Sequence, residues 1–392
     1  MQVERFHASP VGHLVPVRGH DARLGRDFDH VAFVPDPLPA RPPDLSARTY
    51  RLLSEADRAL GGLEAKTGLL PNPRLLVRPA LSNEAVATSA LEGTYAPLSD
   101  VLEADYLTPA RSSSEVREVR NYVSAATRGL ELIATRPICI SVLGELQQIL
   151  VHGTRGDSYD SGRLRERQVC IGDEGLGIED SRFVPPPPGD TLVRGMDDWE
   201  KWINANIEMP LLIKAALAHY QFETLHPFSD GNGRLGRLVT TLQLMEAGAL
   251  TYPILNLSTW LEPRRTQYVD HLLNVSATGD FDPWVAFFAE AVSARAEAAS
   301  AAISKLLAVR QSIIDQLHDA GMRGSVVTLA ENLIGYPVLD VPQARDLLDV
   351  SYQSANTAVA RLVELGILRQ VSRGNYGRVF RCDRVFDVIA TA

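Results

Sequence analysis

The chain has 392 residues, 45% of them hydrophobic and 22% charged, which is enough apolar material for two or three packed domains. Its formal net charge of -9 excludes an overall positive potential that would attract nucleic acid or anionic membranes. Three widely separated cysteines and no apolar run near roughly 18 residues argue against a disulfide framework and a membrane span, so we expect a cytoplasmic protein without membrane contact.

The amino-terminal region is predicted to be an arm followed by helices. Residues 1–45 are rich in Pro, His and Asp and lack sustained periodicity, which predicts an extended arm. Helical spacing of apolar residues begins near residue 45 and returns at 83–92 after a proline-rich break. We take 1–110 as this first region.

The middle of the chain is predicted to be a helical core, residues 111–295, with a linking helix at 296–322. The amphipathic stretches lie at about 115–134, 140–151, 193–207, 211–226, 232–247, 264–275 and 283–319. One interruption has strand-like composition: Arg167–Ile171, then a Gly/Asp-rich turn and Arg182–Val184. These segments predict a single β-hairpin on a mainly α-helical body.

The last segment, residues 323–392, has the pattern of a winged helix-turn-helix domain. Short helical patterns surround a turn at Val350–Ser351, and strand-like residues follow at 367–371 and 379–381. The segment holds eight arginines and no lysine against seven acidic residues. Because positive and negative charges nearly balance, we expect this segment to associate with a target or with a second copy of the chain, as in a homodimer. DNA binding stays an alternative.

The densest chemistry lies in residues 226–237, HPFSDGNGRLGR. Pro227 disfavours the α conformation at His226, so the preceding helix should end at the histidine. The turn Gly231-Asn232-Gly233 permits a nest and leads into the next helix, whose first N–H groups favour an anion. A phosphate chain is the expected ligand.

Three further side chains extend this anion site. Arg234 and Arg237 share one helical face and offer two permanent cations with forked donors for phosphate oxygens. Asp230 is a single carboxylate beside them, which suits Mg²⁺ bound together with substrate phosphates. His226 titrates near neutral pH and can take a proton from an incoming hydroxyl. The pattern indicates phosphate-ester transfer.

The same residues also fit other interpretations. Gly231-x-Gly233-x-x-Gly236 matches a dinucleotide fingerprint, but a helical pattern precedes it instead of a strand. His219, Glu223 and His226 have the spacing of metal ligands on one helix, yet a partner helix is missing, so we interpret His219 and Glu223 as structural. A purely structural capped loop would leave His226 and both arginines unexplained.

These residues also match, without a departure, the motif of the Fic (Fic/Doc) family, His-x-Phe-x-Asp/Glu-Gly-Asn-Gly-Arg-x-x-Arg. The resemblance implies a Fic-type helical bundle with a β-hairpin flap, and a protein adenylyltransferase that moves AMP from ATP to a Ser, Thr or Tyr hydroxyl. By this resemblance His226 is the general base and Asp230 the Mg²⁺ ligand. The implied ATP-binding residues are Glu92, Gly231, Asn232, Gly233, Arg234, Leu235, Gly236 and Arg237.

Several functional alternatives remain beside this resemblance. The Doc branch carries a lysine where Gly233 stands here, so AMP transfer is favoured over phosphorylation. Use of another nucleotide or a phosphocholine donor, removal of AMP, self-adenylylation, and a nucleotide-sensing DNA-binding regulator stay open. The family's flap can add a target segment as an extra strand, and an ordinary surface hairpin is the alternative for residues 168–184.

An inhibitory helix is the last feature implied by the resemblance. Thr88-Ser89-Ala90-Leu91-Glu92-Gly93 is similar to the family's inhibitory motif, in which the glutamate pairs with the second motif arginine, here Arg237. The spacing of Ser89 and Glu92 also fits a capping box, but Gly93 and Pro97 favour a helix end at Glu92. As a buried pair, Glu92 and Arg237 would cost about 3–5 kcal/mol to separate.

Overall fold

The computed structural model describes residues 1–21, 24–70, 72–106, 113–172, 177–372 and 377–391, without the side chain of Asp105. The helices are α1 Ala47–Gly68, α2 Val77–Leu91, α3 Leu98–Glu103, α4 Ser114–Ile133, α5 Ile140–Val151, α6 Asp190–Asn204, α7 Leu211–Leu225, α8 Asn232–Glu246, α9 Leu257–Leu261, α10 Arg265–Thr278, α11 Asp282–Asp319, α12 Ser325–Asn332, α13 Val341–Leu348, α14 Tyr352–Glu364 and α15 Asp383–Ala390. The strands are β1 Gly12–Asp21, β2 Arg26–Pro35, β3 Val338–Asp340, β4 Arg369–Gln370 and β5 Val379–Arg381. In the described part of the chain, no helix combines the length and apolar character needed to cross a membrane.

The chain divides into two compact units, each built from several stretches. The first unit comprises residues 1–58, 121–249 and 260–293. The second comprises residues 59–120, 250–259 and 294–392. The domain boundaries at residues 110, 295 and 322 stay predictions.

The first unit is organised around α7. This helix is apolar on nearly every side and therefore buried along most of its length. Trp199 of α6 donates its indole N–H to Ala218 O at 2.9 Å, and Trp284 of α11 donates to Ala216 O at 2.8 Å. The helices predicted across the middle of the chain form close to their expected positions, which confirms the mainly helical fold.

The extended arm predicted for residues 1–45 is wrong. Its strands β1 and β2 pair antiparallel from Gly12 opposite Pro35 to Asp21 opposite Arg26. The hairpin is stabilised by a cluster in which Phe33 packs against Phe6 and Phe183, with ring centroids 5.7 and 5.8 Å away. Phe33 of β2 thus packs against a residue about 150 positions further along the chain. The many exposed polar residues of β1 and β2 hide the strand pattern in the sequence.

The hairpin predicted around residues 168–184 is reduced, in the described residues, to one antiparallel bridge between Ile171 and Phe183. Ile171 N donates to Phe183 O at 2.8 Å, and Phe183 N donates back to Ile171 O at 3.0 Å. Phe33 N of β2 donates to Val184 O at 2.9 Å. The turn of the predicted hairpin, residues 173–176, lies outside the described residues.

In the second unit, the carboxyl-terminal elements follow one another as helix, strand, two helices, two strands and a final helix. The three strands form an antiparallel sheet in the order β3-β5-β4. Asp349 takes a left-handed backbone between α13 and α14, and Ser351 accepts the Ser354 N–H to cap α14. The sequence did not predict β3 or α15, and the winged helix-turn-helix stays an interpretation of this element order.

Candidate active site

The helix α7 ends at Leu225, and His226 directly after it takes a left-handed backbone with φ 48° and ψ 62°. The helix end before Pro227 is therefore as the sequence predicts, although the histidine is not extended. His226 N still donates to Phe222 O at 3.0 Å, which holds the residue to the helix terminus. A left-handed conformation is unusual for a side chain of this size and marks a position held by its surroundings.

The turn between α7 and α8 is closed by Gly231 and Asn232. Gly231 has φ +82°, and its carbonyl accepts the first helical hydrogen bond, from Leu235 N at 2.9 Å. The N–H groups before Leu235 therefore have no acceptor within the helix, the situation that favours an anion. Of the two glycines, Gly231 alone needs a positive φ, since Gly233 lies within α8.

The side chain of Asn232 braces this turn from inside. Its Oδ1 accepts Phe228 N at 2.8 Å, and its Nδ2 donates to Phe228 O at 2.8 Å. The carbonyl and the amino group of the Asn232 side chain thus both bond to the backbone of Phe228, and Asn232 is 2% exposed. Asn232 holds the loop that precedes α8, a structural role beside the ligand contact predicted for it.

Asp230 lies at the edge of the turn. Its Oδ1 accepts Arg234 Nη2 at 3.0 Å, and its side chain is 37% exposed. Gln147 Nε2 donates to Asp230 O at 3.1 Å and fixes the backbone behind the carboxylate. A partly exposed carboxylate with one oxygen engaged fits a Mg²⁺ ion held by one protein ligand together with substrate oxygens and water.

The two motif arginines are buried in α8. Arg234 is 2% and Arg237 3% exposed, so each guanidinium is held in a largely desolvated position. Leu235 is fully buried, and a Cβ at Gly236 would lie 2.6 Å from Glu223 Oε1 of α7. The structure therefore groups the arginines with the turn, whereas Leu235 and Gly236 pack α8 against its neighbours.

Arg165, which the sequence analysis did not single out, supports the histidine. Its guanidinium donates to four carbonyl oxygens: His226 O at 2.8 Å, Arg167 O at 3.1 Å, Pro186 O at 2.5 Å and Leu225 O at 3.4 Å. Its backbone N donates to Pro227 O at 2.9 Å. The residue is 1% exposed, and burial lowers its pKa to about 10. No local pattern marks Arg165, since three of its four carbonyl partners lie 21 to 61 residues away along the chain.

Asp160 is a second supporting residue that sequence reasoning missed. Ser229 of the loop donates its hydroxyl to Asp160 Oδ2 at 2.6 Å, and Ser158 donates to Asp160 Oδ1. Burial alone would raise the pKa of Asp160, but these two hydrogen bonds hold it below its ordinary value. The carboxylate therefore anchors the loop between His226 and Gly231.

His219 serves the contact between α7, α8 and α10. Its Nε2 lies 2.7 Å from the hydroxyl of Tyr268, and its Nδ1 lies 3.2 Å from Gly236 O and from Thr240 Oγ1. Burial, followed by the charge of Arg237, lowers the pKa of His219 to about 3. The ring is neutral at physiological pH and has the structural role that the sequence predicts. The helix α7 before the glycines also rules out the dinucleotide fingerprint.

The predicted inhibitory motif lies at the carboxyl end of α2. Glu92 follows the last helical residue, its N–H donates to Ser89 O at 3.0 Å, and Gly93 takes a left-handed backbone. This position excludes the capping box, because α2 begins at Val77. Thr88 is fully buried, but Glu92 is exposed. The buried position expected for Glu92 is therefore wrong, whereas its pairing with Arg237 and the free energy of separating the two stay predictions.

The sequence is similar to family models and to curated proteins of known name. The family model described as "Fic/DOC family N-terminal" matches residues 50–131, and the model described as "Fic/DOC family" matches residues 137–244. Curated relatives include the Protein adenylyltransferase Fic of Drosophila ananassae and that of Drosophila melanogaster, each 30% identical over 258 residues, or 63% of this chain. The matched region is 46% and 47% of those proteins, so the chain spans about half their length.

A solved structure supports the fold. The crystal structure of a Fic family protein from Desulfovibrio desulfuricans superposes with a TM-score of 0.56 at 22% identity. The match covers 87% of this chain and 97% of that chain. At this level of identity the similarity establishes the fold and leaves the chemistry to the residues of the site.

Proposed function

The chain belongs to the Fic/DOC family, and on this premise we propose that it transfers AMP from ATP to a Ser, Thr or Tyr hydroxyl of a protein. One observation carries the proposal: a short loop connects His226, at the end of α7, to the start of α8, which favours an anion. Arg165 and Asp160 hold this loop by hydrogen bonds. The curated relatives named protein adenylyltransferase support the same reaction.

In the proposed reaction, the target hydroxyl oxygen attacks the α-phosphorus of ATP and its proton passes to His226. The bond between the α-phosphorus and the bridging oxygen breaks, and pyrophosphate leaves. The early N–H groups of α8 and the guanidinium groups of Arg234 and Arg237 would hold the phosphate chain. Asp230 would hold Mg²⁺, which supplies neutralisation of phosphate charge when bound.

A donor experiment separates this proposal from its alternatives. ATP labelled in the α- or the γ-phosphate is incubated with the protein, Mg²⁺ and a lysate as source of targets. We expect protein labelled from the α-position only, because pyrophosphate carries the γ-phosphate away. Label from the γ-position would instead indicate kinase chemistry, and no label from either would point to another donor or to the regulator alternative.

We also propose that the motif at the end of α2 restrains the reaction, with Glu92 pairing with Arg237 where the γ-phosphate would bind. The exposed position of Glu92 directly after the last turn of α2 supports this proposal. Glu92→Gln is the closest matched variant, since it removes the charge and keeps the size. Transfer by Glu92→Gln at the wild-type rate would contradict a restraint that depends on the charge.

The segment around Ile171 is the proposed docking edge for the target. Val184 O is already used by Phe33 N of β2, and Phe183 is bridged to Ile171. A target strand would therefore add beside residues 167–171, on the side away from Phe183. Cys170→Pro removes one N–H from this edge, and we expect it to weaken target labelling while sparing self-labelling.

For the carboxyl-terminal segment we propose a winged helix-turn-helix used in association with a target or a second copy. Arg369 and Arg381 both donate to Asp383, at 2.8 and 2.6 Å, and Arg378 Nη2 donates to Asn356 Oδ1 at 2.5 Å. The two ion pairs with Asp383 reduce the charge available to phosphates. Specific retention of the chain on a DNA duplex at physiological salt would contradict this proposal.

A further inference from the structure

A cavity in the second unit has no part in the proposed transfer. It is a cleft between α2 and α11, open at its mouth, with an enclosed volume of about 50 Å³. Its wall is almost entirely apolar and includes Leu76, Pro79, Ala80, Ala302, Ile303 and Leu306. Small-molecule sites typically combine such walls with a few polar groups that orient the ligand.

Arg295 supplies the charge in this wall. It is the charged side chain among the described residues that line the cleft. Its buried Nε finds no acceptor there. Burial lowers the pKa of Arg295, with Glu84 acting in the opposite direction. A desolvated guanidinium donor without an acceptor is unfavourable, and an anion in the cleft would supply the missing acceptor.

The carboxylate of Glu84, next to Arg295, limits the charge of the anion that the cleft can bind. Glu84 is 4% exposed and accepts hydrogen bonds from the backbone N–H of Ser258, at 3.1 and 3.4 Å, and from its hydroxyl. Its negative charge acts on Arg295 and would also repel an incoming anion. A group with one negative charge is therefore favoured over a phosphate dianion.

We propose that this cleft binds a small monocarboxylate with an unbranched aliphatic tail. The carboxylate accepts from the guanidinium of Arg295, and the tail lies against the apolar wall around Ala302 and Ile303. The site is separate from the motif residues, so its occupancy does not depend on the transfer reaction. Since Leu76, Pro79 and Ala80 line the cleft, a bound ligand is expected to slow amide hydrogen exchange in α2.

The test uses the whole chain and isothermal calorimetry with octanoate and with octan-1-ol as its neutral match. The wild type is expected to bind octanoate at least tenfold more tightly than octan-1-ol. Along the series butanoate, hexanoate and octanoate, affinity should rise about fourfold for each added methylene. No heat of binding with octanoate at millimolar concentration, or an affinity independent of tail length, would overturn the proposal.

Three variants assign the contacts. Arg295→Met keeps a long apolar side chain and should abolish the preference for octanoate, whereas Lys305→Met removes one exposed positive charge from the same helix and should preserve it. Ala302→Phe fills the cleft and should abolish binding of both ligands. Equal octanoate affinity in wild type and Arg295→Met would refute the role of the guanidinium, and unchanged binding in Ala302→Phe would refute the location.

Discussion

Replacing Arg165 tests whether one buried cation holds the proposed catalytic loop. Burial lowers its pKa to about 10 from an ordinary 12.5, and one pKa unit corresponds to about 1.4 kcal/mol, so burying the charge opposes folding by about 3 kcal/mol. The four hydrogen bonds to carbonyls contribute about 1.5 kcal/mol each, or about 6 kcal/mol together. The net stabilisation is then about 3 kcal/mol.

Arg165→Met should therefore lower the melting temperature by about 6–12 °C, at about 2–4 °C for each kcal/mol in a unit of this size. Arg165→Lys should do no better, because an ammonium keeps the charge but lacks the fork that reaches several carbonyls. The control is Arg163→Met, which removes an exposed arginine two residues away. Differential scanning calorimetry gives the result, and an Arg165→Met melting temperature within about 2 °C of wild type would refute the reasoning.

Three further predictions concern the site and its restraint. Gly156→Ala should reduce transfer and raise the Mg²⁺ concentration required, because a Cβ there would lie 2.7 Å from the Asp230 carboxylate; a wild-type Mg²⁺ titration would contradict this. Since the pKa of His219 is lowered to about 3, its neutral form stabilises the fold, and that contribution is lost as pH falls from about 6.5 toward 3, by up to about 1.4 kcal/mol per pH unit. Urea titrations at pH 7 and 4.5 should show a smaller loss in His219→Gln than in wild type, and equal losses would disprove it. Glu92→Gly should raise the transfer rate, by about fivefold if the pair contributes about 1 kcal/mol, and an unchanged rate would exclude the restraint.

Local constraints account for what the sequence could predict. The end of α7 follows from the proline after His226, and the start of α8 follows from Gly231, because each residue restricts its own backbone. The apolar periodicity of α5 likewise places its ends at Ile140 and Val151, where the structure has them. Predictions made from neighbours in the chain therefore agree with the structure across the helical body.

Contacts between distant residues account for what could not be predicted. The hairpin of β1 and β2 depends on Phe33 meeting Phe183, and nothing in the sequence around Phe33 indicates a partner 150 residues away. Arg165 and Asp160 support the loop from about 60–70 residues away, so no spacing rule links them to the motif. The left-handed backbone of His226 is held by these contacts too, and the proline alone would favour an extended residue.

The most direct test of AMP transfer is the label that protein takes up from α-labelled ATP with Mg²⁺ and lysate. Three forms of the chain are compared: wild type, Glu92→Gly, and Glu92→Gly combined with His226→Ala. We expect more label with Glu92→Gly than with the wild type, and none once His226 is also replaced. Label that persists without His226 would contradict the assignment of this histidine as the base and, with it, the proposed reaction.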